Sequence, residues 1–303
     1  MNRRDFLATG LTALASPIGV SSARAQTASS VFPTAGADGW SPLFNGKNLD
    51  GWYTFLVRSG KNNDPTGYVR IEDGMLHCLG NAPQGYVEGG YLATNQEYSN
   101  YHFRVEYKWG SARYAPRLMY KRDSGIYFHM TGPDRVWPTG MHFQIQESDT
   151  GDVLAVNGTR FVTAAPVPNA AGGNPTWPNP PNPNNPNIVT VGSQGQPRGW
   201  RKNADFEKLE DWNQLEIIAR DDRAAYLVNG RLVNTLFNMQ APDPPAPANL
   251  GPTANAAQQV PTGDTFKRLD RGKIAIEIEF AEIWFRNIEI RPLNPGEHEM
   301  KTK

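Results

Sequence analysis

The sequence predicts an all-β protein with long, proline-rich loops. Short runs of alternating apolar and polar residues recur at regular spacing, and glycine and proline are abundant, at 29 and 25 of 303 residues. No segment shows the sustained period of a long amphipathic helix. The strand candidates are 52–57, 68–71, 75–79, 90–94 and 101–109, a pair within Ser124–Glu147, then 153–156, 160–163, 212–219, 223–228, 231–237, 272–280 and 282–291. In the 101–109 run Phe103, Val105 and Tyr107 face one way and Arg104, Glu106 and Lys108 the other. Asn229-Gly230, between Tyr226-Leu227-Val228 and Arg231-Leu232-Val233, is the best hairpin signal, and Asn45-Gly46 marks a second tight turn.

An export signal is expected ahead of this body. Asn2-Arg3-Arg4-Asp5-Phe6-Leu7 resembles the twin-arginine signature, a mildly apolar stretch runs from Leu7 to Val20, and Ala23-Arg24-Ala25 offers a small-x-small cleavage site. The apolar stretch is too short and too rich in small residues to span a bilayer. Residues 1–25 are therefore read as a signal peptide, 26–38 as a flexible leader, 39–293 as the folded body and 294–303 as a charged tail. The mature chain is expected to be periplasmic or secreted, with no membrane span.

Composition narrows the partners. Thirty basic residues balance thirty acidic ones, so bulk charge favours neither nucleic acid nor an anionic membrane. The lone Cys78 excludes an intrachain disulfide framework and reads as a small buried hydrophobe in a strand. Two proline-rich segments, 164–199 and 241–263, interrupt the strand rhythm as long loops, either binding walls or mobile linkers. Trp177 and Trp200 in the first are candidates for stacking on a sugar ring, or equally for anchoring the loop.

The central pair carries the chemistry. Ser124-Gly125-Ile126-Tyr127-Phe128-His129 precedes a Gly/Pro-rich turn, and Gly140-Met141-His142-Phe143-Gln144-Ile145-Gln146-Glu147 follows it. Alternation puts Met141, Phe143 and Ile145 on one face and His142, Gln144 and Gln146 on the other, close to Glu147.

Several blocks, taken together, resemble the 3-keto-disaccharide hydrolase domain family. They are Leu43 through Trp52, Gly90-Tyr91-Leu92-Ala93-Thr94 leading into Tyr101 through Tyr107, Ser124 through Phe128, Gly140 through Glu147, Asp211-Trp212-Asn213, and Phe285-Arg286-Asn287-Ile288. The resemblance implies a concanavalin A-like jelly-roll sandwich of two antiparallel sheets, and cleavage of 3-keto-glycosides made by a partner oxidoreductase. The family's second central strand usually reads Gly-x-Glu-x-Gln-Ile and its first often ends in Arg. Here His142 stands at the Glu position and His129 at the Arg position, while Gln144 and Ile145 fit. Glu279 keeps the family's second acid, and Glu277 replaces a glutamine.

A ketone at sugar C3 acidifies the C2–H. A base that removes this proton yields an enolate, which expels the C1 substituent, and addition of water completes net hydrolysis. His142 or His129 is the natural base, because imidazole titrates in the useful range. Glu147, Glu279 or Glu106 would serve as acid if burial raises its pKa. Lys108, Gln144 and Gln146, with Glu106, are candidates for holding the oxyanion or sugar hydroxyls. No cofactor is assigned; a divalent metal held by His129, His142 and Glu147 is the weaker alternative, since tight His-x-x-x-His spacing is missing. The expected partners are an oligosaccharide or glycoside substrate and a co-exported sugar oxidoreductase. A non-catalytic carbohydrate-binding module and a partner-binding protein are the rival readings.

Overall fold

The alternating runs fold into two antiparallel sheets that share one apolar core. The computed structural model describes residues 32–83, 87–164, 188–192, 198–244 and 265–293. Among these there are nineteen strands and no helix. In chain order they are β1 (Ser41–Pro42), β2 (Trp52–Leu56), β3 (Gly60–Lys61), β4 (Val69–Glu72), β5 (Met75–Cys78), β6 (Gly90–Thr94), β7 (Tyr101–Arg113), β8 (Asp123–Thr131), β9 (Thr139–Gln146) and β10 (Val153–Val156). Then follow β11 (Arg160–Ala164), β12 (Ile188–Val191), β13 (Gly199–Trp200), β14 (Asn213–Arg220), β15 (Arg223–Val228), β16 (Arg231–Pro242), β17 (Phe266–Arg268), β18 (Lys273–Ile278) and β19 (Ala281–Pro292).

The larger sheet runs β12-β11-β16-β15-β14-β7-β19-β5-β4, with β1 against β19 and β17 against β16. The smaller runs β13-β10-β9-β8-β18-β6-β2-β3. Between them lie Phe103, Val105 and Tyr107 of β7, Ile126 and Phe128 of β8, and Met141, Phe143 and Ile145 of β9, all fully buried. Phe143 of one sheet stacks on Tyr226 of the other at 4.2 Å between ring centroids. Contacts of this kind hold a sandwich together, because each sheet hides one face of alternating side chains. Cys78 is fully buried here, and burial pushes its thiol up to about 12.

Turn chemistry sets the register. Asn229 and Gly230 both adopt positive φ (50° and 74°), and Val228 pairs with Arg231, as a two-residue hairpin between right-twisted strands requires. The Asn45 side chain accepts N–H bonds from Lys47 and Asn48 at 2.8 and 2.9 Å, and Trp52 closes the same corner by donating to the Leu43 carbonyl at 2.7 Å.

The segment 164–199 is not loop throughout. Ile188–Val191 pairs with β11 and ends the larger sheet among the described residues. Most of the rest of 164–199 and of 241–263, with the signal segment, residues 26–31 of the leader and the tail, lies outside the described residues, whereas Phe32 of the leader packs against the core.

Candidate active site

On the outer face of the smaller sheet the register brings residues from three strands into rows. Tyr127 pairs with His142 across β8 and β9, and Ala275 pairs with Tyr127 across β18 and β8. The next row along the strands contains Glu277, Gly125 and Gln144, and the one beyond it Glu279, Asp123 and Gln146. Rows two residues apart stand about 7 Å from each other.

His142 is held from one side only. Its Nε2 lies 2.9 Å from Glu277 Oε2, and Tyr127 donates its hydroxyl to Glu277 Oε1 at 2.9 Å. A carboxylate can only accept, so Nε2 carries the hydrogen and the lone pair is left on Nδ1. That Nδ1 is buried and has no hydrogen-bond partner among the described residues. Burial first, then the Glu277 charge, pushes the Tyr127 hydroxyl well above its usual range, so it stays a donor. Gly125 makes room for this arrangement, since a Cβ there would stand 1.9 Å from His142 Nε2.

The next two rows concentrate acid. Asp123, Glu277 and Glu279 are all buried, and Arg117 bridges two of them, with Nη2 2.6 Å from Asp123 Oδ2 and Nη1 2.5 Å from Glu279 Oε1. Asp123 also accepts from the side-chain amides of Gln144 and Gln146. One guanidinium among three buried carboxyl groups makes ionising all of them costly. Burial, then the charges of Glu277 and Asp123, push Glu279 well above the carboxylate range despite Arg117. Burial and the Glu277 charge push Asp123 only to about 7, and its oxygens are engaged by three donors. Both carboxyls therefore hold a proton more readily than a free one does. Arg117 Nε is a buried donor without a hydrogen-bond partner among the described residues.

The structure separates several residues that the sequence grouped together. His129 faces the inter-sheet core and not His142. It adopts φ +48°, and the β8–β9 register shifts between Phe128 and Thr131. This bulge turns Phe128 and His129 to the same side, where the imidazole packs edge-on to Tyr101 at 5.7 Å and its Nδ1 sits 3.3 Å from the Leu269 carbonyl. Glu147 is tied to Arg122 Nε at 2.6 Å and to Arg113 Nη2 at 3.1 Å. Against the effect of burial, the Arg122 backbone and side-chain bonds hold its carboxyl below the usual range, which suits an anchor and not an acid. His129, His142 and Glu147 thus do not converge as a ligand set, and among the described residues no group of three His, Cys, Asp or Glu side chains is placed to hold a metal ion.

Glu106 and Lys108 belong to β7 of the larger sheet and point to its outer face, on the other side of the sandwich. Glu106 there accepts from Arg286 Nε at 2.6 Å. His102 shares that face, bonded to Glu216 at 2.8 Å. Trp200 of β13 packs against the core, so it is an anchor. Trp177 lies outside the described residues. Gln144 and Gln146 are on the site face, each with an N–H committed to Asp123. Glu277, ranked below Glu279 from the sequence, proves to be the group that orients His142. Asp123 and Tyr127 were missed, although extending the alternation back from Tyr127 through Gly125 reaches Asp123. Nothing local marks Arg117, which arrives from the β7–β8 connection.

The fold and this face define a β-sandwich with a buried, acid-rich polar centre built around one oriented histidine. The chain belongs to the family described as the 3-keto-alpha-glucoside-1,2-lyase-like domain, whose model matches residues 39–291. No curated protein matches it. Two Parabacteroides distasonis crystal structures, both provisionally assigned as glycosyl hydrolases, show 16% and 19% identity with TM-scores of 0.46 and 0.45; they cover 85% and 84% of this chain and 95% and 99% of their own. A Bacillus subtilis protein of unknown function with a galectin-like fold shows 10% identity and a TM-score of 0.42, over 83% of this chain and 94% of its own. At these similarities the structures say nothing of this chain's chemistry.

Proposed function

We propose that the protein is a carbohydrate-active enzyme that cleaves the glycosidic bond of 3-keto-glycosides by elimination across C1 and C2, followed by hydration. The observation that carries this reading is the buried His142 imidazole, fixed through Nε2 by Glu277, with a lone pair on Nδ1 that has no partner among the described residues. Nδ1 takes the proton from C2, made acidic by the neighbouring ketone, and Glu277 stabilises the imidazolium that forms. The C2–H electron pair becomes an enolate, with the Arg117 Nε–H as a donor for its oxygen. The enolate then re-forms the ketone, the C1–O bond breaks, and the His142 imidazolium passes its proton to the leaving oxygen. The product carries a C1=C2 double bond conjugated with the ketone. Water added at C1, with a proton returned to C2, gives the free 3-keto sugar.

The family description supports the substrate class. A 3-keto sugar has to be made by dehydrogenation at C3, so the reading places this chain after a sugar oxidoreductase, in the exported setting that its N-terminal segment suggests. The test is turnover of a 3-keto-disaccharide in deuterated water. Release of free sugar with deuterium at C2 of the product is expected. Binding of the glycan without release would overturn the enzyme reading in favour of a lectin-like module, and release without C2 deuterium would overturn the elimination route.

A further inference from the structure

His142, Tyr127 and Glu277 stand on the outer face of the smaller sheet, yet they are only 1%, 1% and 4% exposed, and His142 Nδ1 itself is buried. The outer face of an antiparallel sheet is wet unless another part of the chain lies over it. A substrate therefore reaches this base only after a cover has moved.

Among the described residues, the β8–β9 connection, 132–138, is placed to be that cover. Gly132 leaves β8 with φ +79°, in the left-handed region that favours glycine. Pro133 and Pro138 bracket the segment, and neither has an N–H to give to a strand. From β8 the chain reaches over β18 towards β6, β2 and β3. Asp134 accepts there from the Tyr53 hydroxyl of β2 at 2.5 Å, the Tyr91 hydroxyl of β6 at 2.9 Å and Lys61 Nζ of β3 at 2.8 Å. Trp137 packs against an apolar cluster on this face that contains Tyr53, Tyr91, Tyr127, Met130 and Ala275, and Leu154 packs there too. Tyr127 and Leu154 are the two residues paired with His142, on β8 and β10. Trp137 thus joins the cluster that flanks the base on both sides.

The hold is firm at one point and strained at another. Burial opposes charge on Asp134, but the bonds from Lys61, Tyr53 and Tyr91 outweigh it and keep the carboxyl below its usual range. Burial first, then Asp134, pushes both tyrosine hydroxyls above their usual range, so both remain donors. Trp137 has φ +59°, an uncommon backbone state for a bulky residue, which persists only where its surroundings impose it. Lifting Trp137 lets that backbone relax and offsets part of the lost packing.

We propose that residues 132–138 are a lid over His142, latched by Asp134 to Tyr53, Tyr91 and Lys61, and that the structure shows it shut. The lid swings about Gly132 to admit a sugar and closes over it, which keeps water out while the C2 proton moves. What enters rests on the function proposed above; that the cover opens does not.

The test is labelling of the full chain with diethylpyrocarbonate, read residue by residue by mass spectrometry. The reagent acylates a neutral imidazole nitrogen only where it can reach it. His142 should label slowly in wild type. Asp134→Ala removes the latch and Trp137→Ala the packing, and each should raise the His142 rate roughly tenfold or more. Asp134→Asn keeps an acceptor for the tyrosines but loses the charge that Lys61 pairs with, so it should fall between. His129, buried between the sheets, is the internal control, and its rate should stay at the wild-type value. An unchanged His142 rate in both alanine variants overturns the lid, and so does a rise shared equally by His129. Turnover of a 3-keto-disaccharide does not enter this readout, so the lid and the function fail separately.

Discussion

His129 and His142 lie on neighbouring strands, β8 and β9, both buried and each with one ring nitrogen lacking a hydrogen-bond partner among the described residues. They nevertheless occupy opposite faces of the sheet. His129 sits between the sheets against Tyr101 and Phe128, with a backbone carbonyl as its polar contact, and burial lowers its pKa to about 4. His142 sits on the outer face against a carboxylate that is itself held by Tyr127. The difference teaches what makes a buried imidazole useful. A carbonyl can orient the ring but offers no charge to balance an imidazolium, whereas Glu277 does both.

The largest effect expected from this contrast is on rate. His142→Ala should cut kcat/KM on a 3-keto-glycoside by roughly 10²–10⁴-fold, whereas His129→Phe should stay within about twofold of wild type. Gly125→Ala should approach the His142→Ala loss, because its Cβ would occupy space 1.9 Å from Nε2 and push the ring off Glu277. A Gly125→Ala enzyme with full activity would show that the orientation of His142 is not what the reaction uses.

The next effect is on stability against pH. His129 has a folded pKa of about 4 against an ordinary 6.5. The unfolded chain therefore takes up a proton that the folded one refuses as pH falls from 6.5 towards 4, and stability is lost over that window, by about 3 kcal/mol in total. Asp123 works in the opposite sense: its folded value of about 7 against 3.8 means that stability is lost as pH rises from about 4 to 7. Melting curves of His129→Phe and wild type between pH 4 and 8 separate the two. The stability of the variant relative to wild type should grow as pH falls below 6.5, and parallel curves would contradict the placement of His129.

The smallest effect is expected on the far side of the sandwich. Glu106→Gln weakens a partly exposed pair with Arg286, so it should shift unfolding by less than about 1 kcal/mol and leave turnover unchanged. A loss of turnover beyond tenfold would return Glu106 to the substrate site and undo the division of the two faces.

Much of this was legible along the chain. The alternation of Met141, Phe143 and Ile145 against His142, Gln144 and Gln146 states which side of β9 is buried, and the structure keeps that assignment. Glycine within the Ser124–Phe128 run also hints at a close approach, which the His142 ring makes. The position of His129 was not legible, because a single positive-φ residue inverts the alternation without leaving a composition signal. Nor was the exclusion of Glu106 and Lys108, since alternation tells inside from outside but not which of two sheets a strand joins.

By itself, then, the sequence determined the all-β class, the hairpin at Asn229-Gly230, the apolar face of each long strand and the residue at the centre of the site, all of which depend on period and local turn chemistry. Only the tertiary structure decided that Glu277 comes from β18 to hold His142, that Arg117 crosses from a connection to bridge Asp123 and Glu279, and that His129 and Glu147 have other work. These contacts join positions far apart in the chain. They follow from the order in which strands assemble into sheets, which is settled by packing the whole core and not by any local stretch of residues.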